Sequence, residues 1–230
     1  MITWILLALQ LIFIVIGMFV AKTKNQKRIN LATTYGLLII WLFEYGYHDF
    51  IKFNVLMLLL SILIAYLTYL VSLIIVGTKL SKDNLIPIDC FKIPDKPKKF
   101  FVNESLRNIL SSTYEELFYR WLFFNAIHEI TNMWLMSTIL TIALFFAVHL
   151  KKKMALVQKI DILVFSIIIT LIFYFAVNPI YCIVIHIIRN QLIICQKYVA
   201  ADKHNKKMEQ YLRKLKGRTS KWQAQLKNIS

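Results

Sequence analysis

The sequence predicts an all-α fold, a polytopic membrane helical bundle of about seven transmembrane helices, each needing roughly 20 apolar residues to cross the bilayer. Composition supports this fold class in two ways. Of the 230 residues, 58% are hydrophobic and 17% are charged, which is more apolar and less charged than a soluble domain. Five glycines and four prolines are too few for a collagen-like or linker-like chain, so long helices are expected.

The apolar runs locate the predicted spans. In chain order these are residues 2–20, 31–47, 55–77, 106–124, 133–150 and two tightly joined helices within 162–196. Asn178 and Pro179 divide the last stretch, because proline stops a helix and asparagine favours a turn. The span 106–124 carries four charged residues and is therefore expected inside the bundle, away from lipid. The transmembrane bundle is thus assigned to residues 1–196, with a motif-bearing core at 106–196, and a basic cytoplasmic tail to 197–230.

Basic residues mark one side of the membrane. Lys and Arg total 28, and 24 of them lie in the loops 21–30, 78–105 and 151–161 or in the tail 197–230. Such residues accumulate in cytoplasmic loops, so the amino terminus is predicted outside and the carboxyl terminus in the cytoplasm. The net charge of +16 then reflects topology, which favours the lipid bilayer over nucleic acid as the partner. The predicted location is the cell membrane, as a multi-pass protein of a bacterial plasma membrane.

Ionisable groups within the spans are the candidate functional residues, because a charge inside a bilayer is costly. They are Glu44, Arg107, Glu115, Glu116, Arg120, His149, His186 and Arg189. Glu116 and Arg120 are four residues apart, so a helix places them on one face, where they can form an ion pair. Glu115 is turned roughly 140° away from Arg120, which leaves it to bind a water as a general base. The alternative is that both glutamates pair with Arg120 or with water inside the bundle.

Two later spans carry polar residues at the same spacing of four. Phe145 can pack one turn from His149 and restrict its ring, although a histidine at this helix end is also typical of a membrane interface. His186 and Asn190 offer two neutral donors on one face, which could hold a developing oxyanion. The alternative for that pair is a hydrogen bond that joins helices within the bundle.

Taken in order, the motifs Glu-Glu-x-x-x-Arg, Phe-x-x-x-His and His-x-x-x-Asn lie on three separate predicted helices. This pattern resembles the CPBP family, also called the Abi family, of CAAX proteases and bacteriocin-processing enzymes, which includes the Ras-converting type of CAAX prenyl endopeptidase. The matching motifs cover residues 115–190, while residues 1–100 and the tail match only in being hydrophobic or basic. The resemblance implies an intramembrane glutamate-dependent endopeptidase.

The resemblance also implies a role for each motif residue. Glu115 is expected to activate water with help from His149, and His186 and Asn190 to stabilise the oxyanion. The remaining motif residues are expected to be structural supports: Glu116, Arg120 and Phe145. One departure is Trp121, where the family commonly has glycine; its bulk either narrows the substrate groove or alters helix packing.

The resemblance leaves metal dependence open, because the family has been described both as metalloproteases and as metal-free glutamic proteases. We favour no cofactor. The alternative is a divalent metal such as zinc, held by Glu115, His149 and His186. The zincin motif His-Glu-x-x-His is absent, since His128 and Glu129, which are placed in an outside loop, are followed by Ile-Thr-Asn. The three cysteines are too scattered for a four-ligand zinc site or a disulfide framework.

The predicted function is hydrolysis of a membrane-associated peptide or protein, with a bacteriocin leader, a peptide pheromone or a CAAX-like protein as substrate. The alternative is a non-catalytic bacteriocin self-immunity or scaffold protein, partnered with a bacteriocin system or a membrane sensor. A transporter is disfavoured, because the sequence shows no inverted repeat. By span arithmetic His149 lies nearer the cytoplasmic surface than Glu115 and His186, so helix tilt must bring them level beside a cavity that opens to the cytoplasm.

Overall fold

The computed structural model of the protein describes residues 5, 7–13, 23–45, 54–77, 99–150 and 154–198, and all regular structure within them is helical. The helices in chain order are α1 (7–13), α2 (Lys24–Tyr45), α3 (Val55–Ser72), α4 (Lys99–Glu116), α5 (Phe124–Thr131), α6 (Trp134–His149), α7 (Leu156–Ala176) and α8 (Pro179–Tyr198). A π-helix, Leu73–Gly77, extends α3, and a second, Leu117–Phe123, joins α4 to α5. The all-α prediction is confirmed for this part of the chain.

Three helices among these residues are long and apolar enough to cross a membrane: Val55–Val76, Leu156–Ala176 and Pro179–Tyr198. The outer face of α3 is suited to contact with lipid, because its apolar side chains are more than half exposed: Val55, Leu56, Leu59 and Leu63. The helix α6 is also apolar but shorter. The fold is therefore that of a membrane protein. The number of spans and the orientation of the termini stay predictions, and the side chain of Glu44 and the tail beyond Tyr198 lie outside the described residues.

Two predicted loops are helical in the structure. The helix α5 continues to Thr131, so the prediction that His128 and Glu129 lie in a loop is wrong. No helix breaker precedes Asn132, which ends α5 in the left-handed conformation. Likewise α7 begins at Leu156, several residues before the predicted span at 162. The prediction placed Lys159 and Asp161 in a loop because they are charged, but charged residues are compatible with the first turns of a helix.

The core surrounds the π-helix Leu117–Phe123, where six consecutive side chains, from Leu117 to Leu122, are buried. Aromatic rings from other helices close around it. Trp121 meets Phe173 of α7 edge-on at 6.3 Å between ring centroids, so its bulk lies in the packing between helices. The buried Gln10 joins α1 to this unit by donating to the carbonyl of Thr34 and the hydroxyl of Tyr114.

The break between α7 and α8 lies where Asn178 and Pro179 predict it. Val177 adopts φ 52°, and the side chain of Asn178 accepts a hydrogen bond from the amide of Ile180 at 2.9 Å, which caps α8. Pro179 occupies the first helical position, where its missing N–H costs nothing. A β-branched residue in the left-handed region is strained, because its Cβ approaches the following carbonyl.

Replacing Val177 with glycine is therefore expected to stabilise the protein, by about 1 kcal/mol in the free energy of unfolding. Asn132, at φ 50°, is the matched control, because asparagine tolerates this conformation and Asn132→Gly is expected to change stability by only a few tenths of that amount. Unfolding of each purified variant in mixed micelles, followed by tryptophan fluorescence, measures the difference. Equal effects at the two positions would contradict the strain at Val177.

Candidate active site

Three helices bring the predicted site residues together. Glu115 lies at the carboxyl end of α4, His149 at the end of α6 and His186 in the middle of α8. The Nε2 atom of His149 lies 3.2 Å from Oε2 of Glu115, and Nε2 of His186 lies 3.9 Å from the same oxygen. The expected difference in depth between His149 and Glu115 is thus removed by the packing of α6 against the π-helix.

Beneath this group lies a fully buried ion pair. Arg120 Nη1 donates to Oε1 of Glu116 at 3.2 Å, and both side chains have 0% exposure, as their spacing of four residues predicted. His186 Nδ1 lies 2.6 Å from the same Oε1 atom, a contact that the sequence did not predict. The two neighbouring glutamates therefore differ in burial and in their partners. Glu116 is held by two partners in the interior, whereas Glu115 keeps 23% of its side-chain surface exposed.

Phe145 connects the buried pair to the exposed histidine. Its ring stacks on His149 at 4.2 Å between centroids, as predicted, and the guanidinium carbon of Arg120 lies 4.1 Å from the centroid of the Phe145 ring. The backbone carbonyl of Phe145 also accepts a hydrogen bond from Nδ1 of His149 at 2.7 Å. Ring stacking and this hydrogen bond together fix the orientation of the imidazole, so Nε2 faces Glu115.

The partners of His149 determine how many protons the site holds. A carbonyl oxygen only accepts hydrogen bonds, so Nδ1 carries a proton and donates it to Phe145. The opposite nitrogen faces a carboxylate oxygen, which is also an acceptor when ionised. His149 and Glu115 can therefore take up and share one proton, either as imidazolium beside carboxylate or as imidazole beside carboxylic acid. The pair can therefore accept one proton and release it again.

The same reasoning restricts His186, which was predicted to be a neutral donor. Its Nδ1 faces an oxygen of Glu116, so the neutral ring that donates to Glu116 has only a lone pair at Nε2. His186 can then donate from Nε2 only as an imidazolium, with Glu116 beside it as the counter-charge. The predicted pair of neutral donors requires the other tautomer, with Nδ1 of His186 accepting a proton from Glu116, and it stays a prediction.

Asn190 lies one turn from His186 on α8, and its amide is oriented by its neighbour. Arginine can only donate, so the 3.3 Å contact from Arg189 Nη1 fixes the Asn190 oxygen on that side. The Asn190 nitrogen then points the other way, 3.5 Å from the hydroxyl of Ser112 on α4. Arg189 is itself held by Asp161 at 2.7 Å and by the ring of Phe165.

Asp161 and Ser112 are thus contributors that the sequence analysis missed. The signal for Asp161 was present, because an arginine within a span requires a counter-charge, but Asp161 had been placed in a loop.

The alternative of a zinc site concerns the side chains of Glu115, His149 and His186. No group of three His, Cys, Asp or Glu side chains is arranged to hold a metal ion in the part of the chain that the structure describes. The Nδ1 atoms of His149 and His186 contact protein oxygens, whereas their Nε2 atoms lie 3.2 Å and 3.9 Å from Oε2 of Glu115. The metal-ligand set of Glu115, His149 and His186 stays a prediction, as does the preference for no metal. Cys182 and Cys195 are free thiols on α8.

The fold and the site together define a class: an all-helical membrane protein with a paired-glutamate and histidine site among its helices. The chain matches the model of one family over residues 100–192, and that family is described as type II CAAX prenyl endopeptidase Rce1-like. The resemblance to the CPBP family is thereby confirmed over this segment, which contains all three motifs, and the match supports a protease. No curated protein and no solved structure matched the chain.

The buried charges allow a test of what holds the site together. Glu116→Ala is expected to lower the free energy of unfolding by about 3–5 kcal/mol, because it leaves Arg120 buried without its counter-charge. The double variant Glu116→Leu with Arg120→Met is expected to recover much of that loss, since no charge then remains buried.

Glu104→Ala is the matched control on the same helix. It removes a glutamate that pairs with the exposed Lys197, so a loss below about 1 kcal/mol is expected. Denaturation in mixed micelles measures all three variants. Equal losses for Glu116→Ala and Glu104→Ala would contradict the role assigned to the buried pair.

Proposed function

We propose that the protein is an intramembrane glutamate-dependent endopeptidase that hydrolyses a membrane-associated peptide or protein. One observation carries this proposal: the 3.2 Å contact between Glu115 and His149, two side chains that remain partly exposed above a buried support. A general base must reach both water and substrate, and these two residues meet that requirement. The match to an endopeptidase family supports the assignment.

In the proposed reaction the Glu115 carboxylate takes a proton from a water molecule, and the hydroxide oxygen attacks the carbonyl carbon of the peptide bond. The proton is stored by the Glu115 and His149 pair. It then passes to the nitrogen of the leaving amine as the carbon–nitrogen bond breaks. One water and one peptide bond are consumed, and one carboxylic acid and one amine are released.

The carbonyl oxygen becomes negatively charged during the attack and needs donors. The Asn190 amide nitrogen is a neutral donor whose direction is set by Arg189. His186 is proposed as the second donor, held in place by its 2.6 Å contact with Glu116. Glu116, Arg120 and Phe145 are proposed to act only by holding these groups in place.

The substrate is proposed to be a bacteriocin leader, a peptide pheromone or a CAAX-like sequence, presented from the cytoplasmic side of a bacterial plasma membrane. The multi-pass topology with an external amino terminus belongs to this proposal, because it places the end of α6, with His149, at that side. The competing function is a non-catalytic self-immunity or scaffold protein that binds a bacteriocin or a membrane sensor. Loss of catalytic side chains distinguishes the two.

Glu115→Gln and His149→Gln are each expected to reduce peptide cleavage by about 10²–10⁴-fold, because each removes a group needed for proton transfer. Glu129→Gln, on the exposed surface of α5, is the matched control and is expected to keep full activity. The assay uses the full chain in lipid nanodiscs with candidate precursor peptides and mass spectrometry of the products. Cleavage by Glu115→Gln at the wild-type rate would eliminate the peptidase proposal, and retained protection against a bacteriocin in that variant would favour the scaffold.

Asn190→Ala is expected to lower kcat by about 10²–10³-fold with a smaller change in KM, because its donor acts on charge that develops only in the transition state. Glu129→Gln, on the exposed surface of α5, again serves as the control and is expected to leave kcat unchanged. Steady-state kinetics on one cleaved peptide separates kcat from KM. A change confined to KM in Asn190→Ala would remove this residue from the proposed oxyanion site.

A further inference from the structure

A groove of about 1170 Å³ lies between the first half of α4 and the second half of α8. Its lining comprises Asn103, Glu104, Leu106, Arg107, Asn108, Leu110, Ser111, Asn190, Ile193, Ile194 and Tyr198. The groove therefore reaches the proposed oxyanion residue Asn190 at one end. Four of its eleven lining side chains are leucine or isoleucine and the other seven are polar or charged, which suits a peptide segment that has both apolar and polar groups.

The two helices that form the groove are antiparallel and joined by polar contacts. Gln191 donates to Ser105, and the Asn108 amide donates to the carbonyl of Ile187 at 3.0 Å. At the far end from the site, Lys197 and Tyr198 bind the carboxylate of Glu104. These contacts keep the walls of the groove at a fixed separation along its length.

The groove is lined by two charged residues, Glu104 and Arg107, and their contacts differ. Both oxygens of Glu104 are occupied, one by Lys197 at 3.0 Å and the other by the Tyr198 hydroxyl at 2.9 Å. The hydrogen bond from Lys197 also holds the pKa of Glu104 below its usual value, so this carboxylate is ionised and engaged at neutral pH. Arg107, exposed on the groove wall, forms no ion pair within 4 Å and no hydrogen bond among the residues that the structure describes, although its charge also lowers the pKa of Glu104. A guanidinium whose donors are not bound by protein groups favours a carboxylate as its ligand.

The distance from Arg107 to the site sets the length of peptide between them. Arg107 and Glu115 are eight residues apart on α4, which is about 12 Å along the helix axis at 1.5 Å per residue. An extended peptide covers that distance in about three to four residues at 3.3 Å each.

We propose that Arg107 binds a carboxylate of the peptide substrate three to four residues from the bond that is cleaved, with the intervening residues lying in the groove. This deepens the proposed function, on which it rests, by assigning a specificity-determining residue outside the three motifs. The carboxylate belongs either to the free carboxyl terminus of the peptide or to an acidic side chain, since the guanidinium recognises the same group in both.

Binding can be measured separately from cleavage. The full chain in nanodiscs carries Glu115→Gln, so bound peptides are not hydrolysed, and the probes are three apolar hexapeptides with a neutral fluorescent label. One ends in a free carboxylate, one in an amide, and one in an amide with a single internal glutamate. Arg107→Ala is expected to weaken binding of one or both acidic peptides about tenfold, and to leave the fully amidated peptide unchanged.

Two variants control the measurement. Arg107→Lys keeps the charge without the paired donors and is expected to retain part of the affinity. Lys159→Ala removes a cation on α7, away from the groove, and is expected to change nothing. An effect on only one of the acidic peptides identifies whether the terminal or the side-chain carboxylate is bound.

Several results would overturn the inference. Equal affinity for all three peptides, or an equal loss for all three in Arg107→Ala, would mean that the guanidinium does not read a carboxylate. Loss of bound phospholipid from Arg107→Ala, with unchanged peptide affinity, would instead assign Arg107 to a lipid headgroup. The chain with Glu115 intact is tested in parallel: carboxylate-dependent binding without cleavage would refute the peptidase proposal but leave the carboxylate site standing.

Discussion

The geometry of the site depends on the burial of one carboxylate. Glu116 has no exposed surface, and its Oε1 atom is contacted by both Arg120 and His186. In a medium of low dielectric constant each of these groups would be costly alone, so the three must stay together. Because Glu116 is on α4, Arg120 on the π-helix and His186 on α8, this requirement fixes how the motif-bearing helices meet. Arg120 extends the constraint to α6 through the ring of Phe145.

This arrangement explains why two neighbouring glutamates can have different roles. Consecutive residues on a helix point about 100° apart, so only one can face the buried arginine. Glu116 is occupied there, and Glu115 is left partly exposed with His149 and His186 around its Oε2 atom. His149 is in turn oriented by Phe145, whose carbonyl and ring both contact it. The exposed pair can exchange a proton while the buried group stays unchanged, which is a useful separation for acid–base chemistry.

The sequence predicted those features that depend on spacing within one helix. The ion pair of Glu116 with Arg120, the stacking of Phe145 on His149 and the break at Asn178 and Pro179 all follow from local rules. Contacts between helices were less accessible: the link from His186 to Glu116 joins residues 70 positions apart, and no helical periodicity reports it. Asp161 was missed because its charge suggested a loop, although Arg189 needed a partner. Likewise α5 was missed because polar residues such as His128 and Glu129 ended the apolar run without ending the helix.

The π-helix Leu117–Phe123 has a consequence for how this protein could change during evolution. A π-helix contains more residues per turn than an α-helix, so it resets the angular phase between the segments on either side. The catalytic candidate Glu115 lies before the reset, and the aromatic packing of Trp121 and Phe124 lies within or after it. Gain or loss of one residue after Arg120 would therefore rotate the side chains that contact α7 towards new partners, while Arg120 stays opposite Glu116. The segment thus sets the angle between the glutamates before it and the helices that pack after it.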